Sequence, residues 1–196
     1  MASSSELFQK FTLQNVAQIA SSSRKEQQAV RQDLRAQFPV FEDYWDEVLP
    51  PKQDIFIIRC QGQVRCITLV SSRPEVLFFN HHDGPYMPHL RLLHKYPFLL
   101  KRHQVDIGGC RSVVSGANIM CQGLTSDGGR IEPGIPRGEV VSVHIEGKKH
   151  AVGLGIMLMS SDEIQSVNSG PCIANVHHLG DGLWMNPILS ASHIST

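Results

Sequence analysis

Apolar positions recur at helical spacing near the start of the chain and shorten to strand-like runs after residue 54. Ser23-x-x-Glu26 is a capping box, and Val30, Leu34 and Phe38 follow it at four-residue spacing, which predicts a helix ended by Pro39. Phe41, Tyr44, Trp45, Val48 and Leu49 predict a second helix, which Pro50-Pro51 stop. Its other face, Glu42, Asp43, Asp46 and Glu47, could meet a basic partner or simply face water. Runs over Ile55–Cys60, Val64–Val70 and Val76–Phe79 predict three strands, the first two joined by a hairpin at Gln61-Gly62-Gln63. Asp83–Pro88 reads as a turn, with Pro88 as first residue of a short helix to Lys95, and Pro97 closes the unit. Upstream, Leu7, Phe8, Phe11, Leu13, Val16 and Ile19 supply apolar contacts for a strand and turn on this first domain, after a disordered lead over Met1–Ser5.

The second half changes pattern. Arg111–Val114, Ile119–Gln122, Val140–Ile145, Ala151–Met159 and Ile173–His177 read as short strands, with Glu146-Gly-Lys-Lys-His150 as a hairpin tip. In Ala151–Ile156 residue size alternates, with glycines where another strand or a ligand can approach closely. Ser160-Ser-Asp-Glu163 caps one helix, and Ser169-Gly170 end it. Several short strands with one late helix suit a small closed barrel. The expected fold is therefore an α+β N-terminal domain over 1–97, a mainly β barrel over 98–184, and a free tail over 185–196.

Composition narrows the class. With 196 residues, 41% of them hydrophobic, the chain can fill one large core or two small ones, and no apolar run approaches a membrane span. The start lacks the basic flank and apolar core of a secretory signal. Five cysteines at irregular spacings, without Cys-x-x-Cys, read as reduced thiols in the cytosol. Eighteen basic and eighteen acidic residues cancel, which disfavours an arginine-rich nucleic-acid binder but not a local patch. Arg91, Lys95, Lys101, Arg102 and Arg111, with His94 and His103, stand against Asp106 alone. That stretch is either a solvated connector or a phosphate track.

Candidate chemistry is sparse. Adjacent histidines at His81-His82 and His177-His178 point to opposite faces of a strand, and Cys60 with Cys66 has no second ligand pair, so no metal is expected. No nucleophile elbow, phosphate loop or dinucleotide fingerprint is present. Asp106 lacks a paired acid or nucleophile and is better read as a turn cap. What stands out is Ser115-Gly-Ala-Asn-Ile-Met-Cys-Gln-Gly-Leu124, where Gly116 and Gly123 bracket a short run. Such a loop can hold a sugar-phosphate backbone, or be an ordinary tight β-connection.

This loop resembles the glycine-alanine loop of the PUA domain, the small RNA-binding barrel of pseudouridine synthases and archaeosine transglycosylases. The likeness continues in Phe78-Phe79, Asp83-Gly84-Pro85, Leu92-Leu-His-Lys-Tyr-Pro-Phe98, Gln104-Val-Asp106, Ser115-Gly-Ala-Asn-Ile-Met-Cys121 and Asp181-Gly-Leu-Trp184. Together, and in this order, these resemble the malignant T-cell-amplified sequence protein family from about Phe8 to Trp184.

The resemblance implies a cytoplasmic, ribosome-associated factor without enzyme activity or cofactor. Proteins of this kind pair with density-regulated protein, bind the small ribosomal subunit, help release deacylated tRNA, and support recycling and re-initiation of translation. The PUA barrel would hold the acceptor end of tRNA through Gly116, Ala117, Asn118, Met120 and Gly123, and the N-terminal domain would meet the subunit and the partner. Lys101, Arg102 and Arg111 would supply charge, with Lys148 and Lys149 as weaker candidates; Met120 could instead be core. Where the family usually carries Pro before the second glycine, this chain has Gln122, a looser turn. Two other classes stay open: an accessory subunit delivering RNA to a modification enzyme, and a protein adaptor whose barrel binds no RNA.

Overall fold

The structure, a computed structural model, describes residues 8–189 and, of residues 19–21, the backbone. The expected lead over Met1–Ser5 and the tail beyond residue 189 lie outside the described residues. The chain forms two compact units: Phe11–Leu92 with the described residues from Asn186, and Leu93–Met185 with residues 8–10.

The Phe11–Leu92 unit is a five-stranded antiparallel sheet in chain order, β1 (Val16–Ser21), β2 (Ile55–Cys60), β3 (Val64–Leu69), β4 (Val76–His81) and β5 (Met87–Pro88). Helix α1 (Arg24–Gln37) opens at Ser23, whose hydroxyl accepts the Glu26 N–H at 3.2 Å. It buries Val30 and Leu34. Its Gln27 carboxamide accepts the Ile55 N–H and donates to Ser22 O, both at 3.0 Å, and Arg31 donates to the Leu49 and Gln53 carbonyls. The expected second helix is a 3-10 segment, Pro39–Tyr44, running into one α-turn, α2 (Trp45–Val48). Phe41, Trp45, Val48 and Leu49 are still buried, and Tyr44 is not. Trp45 meets Phe41 edge-on at 5.0 Å and Phe78 at 5.8 Å, so rings fill this core.

Pro88, expected to open a helix, instead pairs with Phe78 on the edge strand β5, where a missing donor costs no ladder bond. Helix α3 (Leu90–Lys95) starts two residues later. After Trp184 the chain was expected to hang free. Residues 186–189 instead bind along the start of β4: Val76 N donates to Pro187 O at 2.8 Å, Leu189 N to Pro74 O at 3.0 Å, and Leu189 is buried. Two adjacent apolar residues, Ile188 and Leu189, reach a backbone edge that would otherwise stay open.

The second unit is a mixed sheet in the order β6-β8-β9-β10-β7 that curls into a half-barrel. Its strands are β6 (Arg102–Val105), β7 (Ile119–Met120), β8 (Val140–Ile145), β9 (Gly153–Met157) and β10 (Pro171–His178). Only β6 and β8 run parallel, Arg102 opposite Ser142 and Val105 opposite Ile145. Three expectations are corrected here. Residues 111–114, read as a strand, form helix α4 (Cys110–Val114), because half-buried Cys110 and buried Val113 share one face. Residues 119–122 hold only two strand residues before helix α5 (Cys121–Thr125) begins. The supposed basic connector contains β6, with His103 and Val105 inward and Arg102 outward. Helix α5 spans the gap between the sheet's two edge strands, with Cys121 N donating to Gly170 O and Asp106 N to Gly123 O, each at 3.0 Å. Helix α6 (Ser161–Val167) has the full capping box between Ser160 and Glu163, and α7 (Gly182–Met185) follows β10. Asn168, left-handed at φ 45°, ends α6 just before Ser169-Gly170. Valine, isoleucine, leucine, cysteine and methionine fill the core.

Candidate nucleic-acid interface

Residues 116–120 lie along the outer edge of β10 in the opposite direction to it. Gly116 sits by His178, Asn118 Oδ1 accepts the Asn175 N–H at 3.2 Å, Ile119 pairs with Ile173 and Met120 with Pro171. Asn175 is buried beneath them, and its Nδ2 donates to Val113 O at 2.9 Å and Ala117 O at 3.1 Å. One buried carboxamide thus ties α4, the loop and β10 together. Gly116 and Ile119 turn inward, while Ala117, Asn118 and Met120 face solvent, Met120 at 46% exposure.

Gly116 has φ +83° and is buried. A Cβ there would come within 3.0 Å of His178 Nε2 and overlap the Gln9 carboxamide. Gln9 Nε2 also donates to Ser115 O at 2.8 Å. The first glycine therefore serves close packing and is not an open bed for a ligand. The far end of β10 is held by Asp181, which accepts from His177 Nδ1 at 2.7 Å, His178 N at 2.9 Å and Trp184 N at 2.8 Å.

Gly123 is half-buried in α5, where a Cβ would stand 3.2 Å from Val105 Cγ1. Arg111 is exposed on α4, just before the loop. Lys101 and Arg102 are exposed at the start of β6, three or four residues from Val105, or roughly 10 Å along a strand from the Gly123 contact. Arg102 also acts electrostatically on His144, together with His94 and His150. Lys148 and Lys149 are exposed at the β8–β9 turn. The structure thus sets Ala117, Asn118 and Met120 along one edge, with Arg111 exposed on the helix before it, and sets Lys101 and Arg102 on β6 apart from Gly123.

Asp106 caps the turn Ile107–Gly109, accepting from Gly109 N at 3.0 Å and Ser126 Oγ at 2.7 Å. The serine bond, with backbone N–H groups behind it, holds its carboxyl below the usual carboxylate range. Burial pushes His103 down to about 4, so the ring is neutral at pH 7. Its Nδ1 accepts the Glu132 N–H at 3.2 Å, which puts the ring proton on Nε2. Burial, then Arg102, likewise lowers His144 to about 4. Among the described residues no group of three or more His, Cys, Asp or Glu is placed to hold a metal ion, and no helix is long and apolar enough to cross a membrane. Gln9 and Lys10 beside the loop were not identified from sequence, because 106 residues separate Gln9 from Ser115 and no local pattern links them.

Residues 8–97 match the Pre-PUA-like domain family and residues 101–179 the PUA domain family. Malignant T-cell-amplified sequence 1 of Danio rerio is 43% identical over 182 residues, covering 91% of this chain and 97% of the relative. The homolog of that protein in Dictyostelium discoideum is 42% identical over 187 residues, covering 93% of this chain and 100% of its own length. Malignant T-cell-amplified sequence 2 of Homo sapiens is 42% identical over 182 residues, covering 91% and 97%. Among solved structures, a hypothetical protein of Pyrococcus horikoshii OT3 aligns with TM-score 0.66 at 21% identity, covering 87% of this chain and 99% of its own. A PUA domain of Aeropyrum pernix K1, solved as a tartrate complex, aligns with TM-score 0.61 at 22% identity over 85% of this chain and 89% of its own. At those identities the structural likeness speaks for the fold alone.

Proposed function

The chain belongs to the malignant T-cell-amplified sequence family, and from that premise we propose that it is a cytoplasmic translation factor that binds the small ribosomal subunit and the acceptor end of deacylated tRNA. It is a non-catalytic, RNA-binding PUA-domain protein. It acts with a partner resembling density-regulated protein in tRNA release, ribosome recycling and re-initiation. One observation carries the RNA side of this reading: Ala117, Asn118 and Met120 stand exposed in a row along the edge of β10, with Arg111 on the helix before them. Small and flat side chains let a ribose or base approach the backbone there, and an arginine suits a phosphate. Gly116 receives Gln9 at one end of this edge, Gly123 packs against Val105 of β6, and Lys148, Lys149, Lys101 and Arg102 are further cations that a longer RNA could reach.

Sedimentation of native extract tests the ribosomal part. Co-migration with small subunits, and recovery of a density-regulated-type partner with the tagged chain, are the expected results. Recovery with an RNA-modification enzyme and no ribosomal protein would replace this reading with an accessory role. For the RNA edge, Arg111→Ala should weaken tRNA binding and lower the slope of log affinity against log salt by about one. An unchanged slope removes Arg111 from the interface.

A further inference from the structure

We propose that the RNA-facing edge is composite: Gln9 and Lys10, from the opposite end of the chain, form one margin of it, and the Gln9 carboxamide oxygen accepts a hydrogen bond from a ribose 2′-hydroxyl or a base edge. This rests on the reading of the β10 edge as the RNA site.

Residues 8–10 form a helical turn within the same compact unit as the loop, anchored by fully buried Phe8. Gln9 is half-buried and lies over Gly116, and only a residue without Cβ at 116 permits that approach. The Gln9 amide nitrogen is committed to Ser115 O, while its oxygen takes no hydrogen bond among the described residues. Two positions along the loop, Asn118 shows the converse arrangement. Its oxygen is held by Asn175 N, and its Nδ2 makes no hydrogen bond among the described residues. The margin therefore offers one fixed acceptor and one fixed donor, each oriented by a bond from the other half of its own amide. Single-stranded RNA presents such complementary groups on its base edges and at each 2′-hydroxyl. Lys10 is exposed beside Gln9, and residues 107–126 contain no carboxylate of their own; the Asp106 carboxylate lies beside Gly123, at the other end of the loop from Gly116. What a ligand meets above Gly116 is an amide, not bare backbone.

The test uses the full chain and deacylated tRNA as probe. Gln9→Met keeps a side chain of similar length over Gly116 but removes both polar atoms; Gln9→Ala removes the side chain. Both should weaken binding about three- to tenfold, the worth of one or two net hydrogen bonds, while the Met variant, which loses one exposed bond to Ser115 O, should melt close to the parent. Lys10→Ala should lower the salt slope by about one. If Gln9→Met binds as the parent does, or if either Gln9 variant binds more tightly, Gln9 is packing or a cover and the inference fails. Loss of affinity in Arg111→Ala alongside such a result leaves the β10 edge in place and removes only Gln9. A parent chain that binds no tRNA, or an Arg111→Ala variant without effect, overturns the edge itself and this inference with it.

Discussion

In the Phe11–Leu92 unit rings fill the interior: Phe38, Phe41, Trp45 and Phe78 interlock between α1 and a sheet whose strands follow chain order. In the Leu93–Met185 unit the main core is aliphatic. Both units take polar groups inside: Gln27, Thr68, Asn80 and His89 are buried in the first, and His103, His144, Asn175, His177, His178 and Asp181 in the second. Burying polar groups costs stability unless each finds a partner. Asn175 and Asp181 do so visibly, each making three hydrogen bonds that fix the backbone around the candidate RNA edge. The units differ in what their buried amides hold: Gln27 and Asn80 fix the ends of strands and a turn in the first, and Asn175 fixes the loop at the candidate RNA edge in the second.

The largest expected effect breaks the ring core. Phe78→Ala removes a side chain with no exposed surface and should cost about 3–5 kcal/mol. Hydrogen exchange should then show protection lost in β2–β4 while β8–β10 keep theirs; equal loss in both would mean that the two cores are not separate. The matching change in the other unit adds atoms. A Cβ on Gly155 would overlap the Ala174 carbonyl and stand 2.7 Å from Ile173 Cγ2, and backbone cannot step aside cheaply. Gly155→Ala should cost about 1–3 kcal/mol, with exchange rising in β9 and β10 first.

The chemistry of the inward positions sets how legible each unit is in the sequence. The capping box at Ser23, the Gln61–Gln63 hairpin and three strands of the first unit could be read directly, because most of their inward positions are apolar, Thr68 and Asn80 excepted. β6 was hidden by chemistry. Its inward residues are His103 and Val105, so the period of two looks like a basic connector with one valine in it. The β-branched pair Val113-Val114 suggested a strand, although only Val113 is buried and the segment is one helical turn. At the candidate site, the loop's resemblance singled out Ala117, Asn118 and Met120, with Met120 also readable as a core residue, and all three are exposed. That Gly116 exists to receive Gln9 could not be read, since a contact across 106 residues leaves no local trace.

Acid should separate the units by a smaller amount. Burial holds His103 and His144 neutral with pKa values of about 4, against 6.5 in an unfolded chain. The unfolded state therefore binds more protons between those values, so the stability present above pH 6.5 erodes as pH falls toward 4. Arg102, His94 and His150 act on His144 in the same direction. Melting and exchange measured between pH 7.5 and 5 should show β6 and β8 losing protection before β2–β4. A uniform response would assign the acid sensitivity elsewhere.

The smallest effect concerns Gln122, the second residue of α5, whose side chain is exposed. An N–H in the first turn of a helix has no acceptor within that helix, so Gln122→Pro would remove no intrahelical bond and would fix φ at a helical value. Restricting the unfolded chain should add about 0.4–1 kcal/mol, less whatever the ring imposes on Cys121 before it. Urea denaturation should show a small upward shift in midpoint with unchanged slope. Because α5 joins the β10 side to β6 through the Cys121–Gly170 and Asp106–Gly123 bonds, a stiffer first turn should also slow exchange at Asp106. If the proline variant is instead less stable, residue 122 cannot hold a helical backbone beside Cys121, and α5 is too loose a strap to keep the half-barrel curled.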